Sequence, residues 1–147
     1  MRMNKVLLYI CVLLSFSVIA EENDFSMQKQ DTNVTFVNKD GSASVSLRIL
    51  YPSSMLSTTK SYAQYVMDKY SGWALSPVLD LRGFSFKYVD NAPCAGLVTY
   101  FDGRSFLLFT NCGKTDEKTL RKLYQKADKE LRISEKLKRE SRPNLYH

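Results

Sequence analysis

Apolar and polar positions divide the chain into stretches of different period. Val6 to Ala20 carries no charge, and Arg2 and Lys5 precede it or open it. At about fifteen residues this run is shorter than the ~20 helical residues that a bilayer core requires. It closes on Val18-Ile19-Ala20, and Glu21-Glu22 follows at once. A basic start, an apolar run and small residues at the junction predict a secretory signal peptide over residues 1–20, cut between Ala20 and Glu21. Cys11 lies inside the run behind Tyr9-Ile10 rather than a small-residue lipobox, so no lipid anchor is expected.

Glu21 to Thr32 is polar and lacks a period, which predicts a loose N-terminal arm. Asn33 to Asn38 has strand composition, and Lys39-Asp40-Gly41-Ser42 is turn chemistry. Ala43 to Leu50 alternates, with Ala43, Val45, Leu47 and Ile49 on one side and Ser44, Ser46 and Arg48 on the other. That pattern predicts a half-buried strand returning as a hairpin. After Tyr51-Pro52, Ser57 or Thr58 can cap a helix running to about Tyr70 and closed by Ser71-Gly72. Its Tyr62, Tyr65, Val66, Met67 and Tyr70 fall at helical spacings and read as core packing.

From Trp73 to Gly113 strand patterns dominate: Val78 to Leu81, then Phe84, Phe86 and Tyr88 alternating with Ser85 and Lys87. Leu97 to Phe101 and Ser105 to Thr110 flank Asp102-Gly103, a strong hairpin signal. A two-residue turn pairs Phe101 with Arg104 and sets Cys94 against Asn111, one place short of Cys112. One extra residue brings Cys94 opposite Cys112. In an exported chain two remaining cysteines at one hairpin mouth predict a disulfide.

Thr115 is placed to cap a final helix whose first turn carries Asp116 and Glu117. Leu120, Leu123, Ala127 and Leu131 trace its apolar face; beyond Ile133 the stripe thins, and Pro143 ends it. The order strand, strand, helix, four strands, helix predicts an α+β fold: one antiparallel sheet with two packed helices. The domain is expected over residues 33–133, followed by a charged C-terminal tail over 134–147.

These residues carry a likeness to a known family. The hairpin at Asp40-Gly41, the helix before Gly72, the Leu81-Arg82-Gly83 turn, the Asp102-Gly103 hairpin and the closing amphipathic helix together resemble the PsbP-like fold. In particular they resemble the DcrB family of small exported bacterial proteins, over about Val34 to Leu131. The resemblance implies an exported binding or accessory protein and transfers no functional residue. Cys94, Cys112 and the charged tail are additions to that pattern.

Composition narrows the chemistry. The formal charge is +6, and loss of Arg2 and Lys5 with the signal would leave +4. Lys114 to His147 holds eleven basic and six acidic residues, so the mature chain's positive charge lies there. Glu and Lys interleave along this segment (Glu117/Arg121, Asp128/Arg132, Glu135/Arg139), as on a solvated, ion-paired helix. That argues against nucleic acid as the partner, and removal of the signal leaves no segment for stable membrane insertion. His147 is the lone histidine, which argues against catalytic triads and histidine-ligated metals. Acids are scattered, and no glycine-rich phosphate loop is present. No catalytic residue, metal site or cofactor is therefore expected.

Nine tyrosines, eight phenylalanines and one tryptophan remain. Trp73, Tyr100, Phe101 and Arg104 lie near turns and form the candidate interface, since aromatics and Arg dominate interface energetics. With Asp90 to Pro93 and the Asp102-Gly103 turn they are expected to make one loop-rich edge. The reading is a periplasmic, non-enzymatic module that binds another protein, in its most pointed form an immunity protein (as against a bacteriocin) or an inhibitor of a cell-wall enzyme. The alternatives are a small-ligand or envelope-stress accessory protein and, third, a cell-wall or phosphate hydrolase.

Overall fold

The structure is a computed structural model and describes residues 24–101 and 105–141. The predicted signal peptide, its Ala20–Glu21 junction and Arg104 lie outside the described residues. Seven strands form in chain order: β1 (Phe25–Gln30), β2 (Asn33–Asn38), β3 (Ser44–Leu50), β4 (Trp73–Val78), β5 (Gly83–Val89), β6 (Pro93–Tyr100) and β7 (Phe106–Cys112). Helix α1 (Thr59–Lys69) lies between β3 and β4, and α2 (Glu117–Ser141) follows β7. The strands make one antiparallel sheet in the order β1-β2-β3-β7-β6-β5-β4.

Turn chemistry explains the local returns. Gly41 takes φ 74° between β2 and β3, a left-handed value that costs glycine no steric penalty. Thr58 caps α1 in a reciprocal box with Ser61, each side chain serving the other's backbone. The Phe101 N–H donates to the Ser105 carbonyl at 2.8 Å, so three residues separate the closing pair of the β6–β7 hairpin. One extra residue thus enters between the closing positions, and Cys94 stands directly opposite Cys112.

The two helices cover opposite faces. On β7, Phe106 and Leu108 pack with Ala63, Val66, Phe86 and Val98 around α1. Leu107 and Phe109 pack with Leu47, Leu97, Leu123 and Tyr124 around α2. Alternate residues of a strand point to opposite faces, so the sheet carries a core on each side. Tyr124 anchors α2: its hydroxyl donates to the Thr110 carbonyl at 2.9 Å, and its ring meets Phe109 edge-on.

Four expectations change. The segment taken for a loose arm contains β1, which pairs with β2 from Phe25↔Asn38 to Gln30↔Asn33. Its residues are mostly exposed, so the strand has little hydrophobic pattern and rests on the ladder. Val78 to Leu81 is not a strand; β4 ends at Val78, and Leu79–Leu81 forms a 3-10 turn. Thr115 does not cap α2, because its buried hydroxyl finds no partner among the described residues. The charged tail continues α2 as far as Ser141, and Glu135 within it accepts the Tyr51 hydroxyl at 3.0 Å.

Candidate interaction surface

The expected loop-rich edge does not assemble. Trp73 is 50% exposed and pairs with Lys87, which pairs in turn with Ala95. Tyr100 lies five residues further along β6, about 17 Å away at ~3.4 Å per residue. Trp73 and the Asp90–Pro93 loop therefore belong to one end of the sheet, and Tyr100 to the other. Phe101 is only 7% exposed and joins the α2 core, with the Arg132 guanidinium 4.9 Å from its ring centroid. The reason is strand alternation: of two neighbouring aromatics, one must turn inward. Tyr100 remains outside and leans on Phe106 at 5.4 Å.

The Trp73 end holds the disulfide. The Gly113 N–H donates to the Pro93 carbonyl at 2.9 Å, which makes the adjacent Cys94–Cys112 pair a non-hydrogen-bonded one. Such pairs bring Cα atoms closest, here 4.1 Å apart, and the two sulfurs are joined. Tyr88 sits beside them with its hydroxyl 3.6 Å from Cys112 Sγ and its ring stacked 4.8 Å from Tyr70. Burial, and then the neighbouring Tyr70, push the Tyr88 phenol far above its ordinary range, so it stays neutral. Nothing in this group is a nucleophile with a base beside it.

A second surface lies at the opposite edge, between β1 and α2. A groove of about 320 Å³ is lined by Phe25, Met27, Phe36, Leu123, Lys126, Lys129 and Glu130. Its floor is aromatic and aliphatic, and its rim is basic. Lys29 reaches across from β1 and meets Glu130 at 2.8 Å, which holds that carboxyl below its usual range through the hydrogen bond and the lysine's charge.

The register fixes what β1 presents. Lys39 donates its N–H to the Asp24 carbonyl at 2.9 Å, so Asp24 and Lys39 form a hydrogen-bonded pair. In an antiparallel ladder such pairs alternate, and Ser26, Gln28 and Gln30 therefore bond to β2. Phe25, Met27 and Lys29 point their N–H and C=O groups away from β2, to the side where no described strand lies, while their side chains face α2. Both backbone and side chains of the same three residues thus serve one surface.

Sequence reasoning missed this surface entirely. A signal was present: Phe25, Met27 and Lys29 alternate with Ser26, Gln28 and Gln30. Three positions are too few to stand out in a polar segment next to a predicted cleavage point.

Among the described residues no group of three or more His, Cys, Asp or Glu could hold a metal ion. No helix of the described residues is long and apolar enough to cross a membrane. Asn111, wholly buried in the central strand, has neither side-chain polar atom partnered among the described residues. No family model matches the chain, and no curated protein is similar to it.

Proposed function

We propose that this protein is an exported, non-enzymatic module that binds another protein, with an immunity or inhibitor role against a toxin or cell-wall enzyme as its most pointed form. One observation carries the reading: a regular edge strand whose outward backbone groups and side chains converge on a single groove. A sheet edge of this kind engages an extended polypeptide through its main chain. The signal-like first twenty residues and the cross-strand disulfide support export to the periplasm, an oxidising compartment. The likeness to DcrB-type accessory proteins is compatible with this role.

The test is cross-linking of the mature chain in intact periplasm, followed by mass spectrometry of the adducts. A stoichiometric protein partner is the expected result. An empty capture removes the reading.

A second reading follows from the same groove, because apolar floors with a few charged rim groups also take small molecules. In that case a small ligand at about a hundred times its Kd would raise stability by ~2.7 kcal/mol, visible as a thermal shift. Such a shift without a protein adduct selects the accessory, ligand-binding alternative.

A further inference from the structure

We infer that Cys112 Sγ is the sulfur at which an external thiol opens the Cys94–Cys112 bridge, with Cys94 as the leaving group. The inference is independent of what the protein binds. Ser44 on β3, Cys112 on β7, Cys94 on β6 and Tyr88 on β5 stand directly across from one another in a single row on the α1 face. The bridge fills the middle of that row, so each sulfur has one outward neighbour.

The two neighbours differ. Beyond Cys94 stands Tyr88, which is 5% exposed and spans β6 to bring its hydroxyl within 3.6 Å of Cys112 Sγ. The Tyr70 ring stacks on it in turn, and α1 lies over β5 and β6 on this side of the row. Cys94 is left 1% exposed. Beyond Cys112 stands Ser44, a small and half-buried side chain, and Cys112 keeps part of its own surface in solvent. A thiolate attacks a disulfide sulfur from the side away from its partner sulfur, so access decides which of the two is taken. The approach to Cys94 is blocked by two stacked tyrosines. The approach to Cys112 passes over a serine.

The exchange balances in two steps. The incoming thiolate bonds to Cys112 Sγ, the bridge breaks, and its electron pair leaves on Cys94 Sγ, which takes a proton from water. The Ala92 carbonyl, 3.3 Å from that sulfur, can accept the new S–H. A second thiol then attacks the external sulfur of the mixed disulfide and releases Cys112. Two external thiols are oxidised to one disulfide, and the protein bridge is reduced to two thiols. The co-reactant is thus a thiol: a dithiol supplies both equivalents in one molecule, a monothiol in two. In the folded chain closure retraces the same path, so Cys112 is also the sulfur that an oxidising carrier loads.

The test treats the folded, oxidised protein with reduced glutathione, stops the exchange with acid, and locates the adducts by peptide mass spectrometry. Glutathione on Cys112 should exceed glutathione on Cys94 about tenfold or more. Ser44→Tyr places a residue that strands favour across the open approach, and should slow bridge opening about fivefold or more. Tyr70→Ala uncovers only the Cys94 side and should change the opening rate by less than about twofold.

Glutathione shared equally between the cysteines, or found mainly on Cys94, overturns the assignment. A bridge that opens only in denaturant does so too, because neither sulfur is then reached in the folded chain. If the adducts are too short-lived to map, the variant rates decide: acceleration by Tyr70→Ala with Ser44→Tyr silent puts the attack at Cys94 and overturns it.

Discussion

The two edges of the sheet are built on opposite plans. At the β4 edge the pairing with β5 shifts register between Trp73 and Ser76, Ala74 takes φ 60°, and Pro77 removes a donor. These are the devices that stop a sheet edge from recruiting another strand. At the β1 edge none of them is present: six residues run in unbroken register with β2. The disulfide lies in the half that ends in the protected edge, on β6 and β7, while the half that carries the open edge has no covalent tie among the described residues. The β4 edge thus carries features that oppose strand addition, and the β1 edge, beside the groove, lacks these three.

The largest effect expected from breaking this contrast is loss of the disulfide. Cys94→Ser with Cys112→Ser should cost ~2–5 kcal/mol in urea unfolding. In native-state hydrogen exchange the wild-type β6 and β7 amides should outlast those of Ser26, Gln28 and Gln30. Equal protection in both regions would show one uniform unit and dissolve the distinction.

Next in size is Gly96, which sits across from Phe86 on β5. A Cβ there would lie 2.3 Å from the Phe86 ring, so Gly96→Ala should cost ~1–3 kcal/mol by overpacking. Phe86→Leu in the same chain should restore part of the loss, and a double-mutant cycle measures how much. Additive losses would mean the ring moves aside freely.

A gain is expected from the strand that joins the halves. Asn111 buries an unpartnered amide, so Asn111→Val should stabilise the fold by about 1 kcal/mol. A clear loss instead would reveal an ordered water serving that amide.

The smallest effect is at the open edge. Glu130 is held below its ordinary 4.5 by the Lys29 hydrogen bond. Its folded value is lower than its unfolded one, so the contribution is present above pH 4.5 and fades as pH falls through the folded value. Glu130→Gln should flatten that acid limb slightly in urea titrations between pH 6 and pH 3, and a steeper limb would contradict the pairing.

Where side chains are half-buried in regular alternation the architecture was legible. Ala43 to Leu50 and Phe84 to Tyr88 became β3 and β5, and the capped stretch from Thr58 became α1. The cysteine register followed from counting across a turn. What could not be read was anything set by tertiary placement. β1 is hidden because an edge strand beside solvent needs little hydrophobicity. Phe101 was assigned to the surface because its depth depends on which face the hairpin turns toward α2. The split between Trp73 and Tyr100 depends on strand order, which no local pattern encodes. Tyr65 illustrates the same point on α1: it shares the helical spacing of Val66 yet is half exposed.

The last of the described strands in chain order occupies the centre of the sheet. Until residue 112 is available, β1–β2–β3 and β4–β5–β6 share no backbone ladder, and each ends in a raw inner edge at β3 or β6. The β3–β7 ladder, which joins the two halves, therefore forms only after the whole of β7 is present. Long-range pairing of this sort is slow. Because Cys112 is the final residue of β7 and faces Cys94 on β6, thiol capture by Cys94 dates the closing of the β6–β7 hairpin. Trapping free thiols at intervals during refolding would therefore time that hairpin, against which the later β3–β7 pairing can be measured.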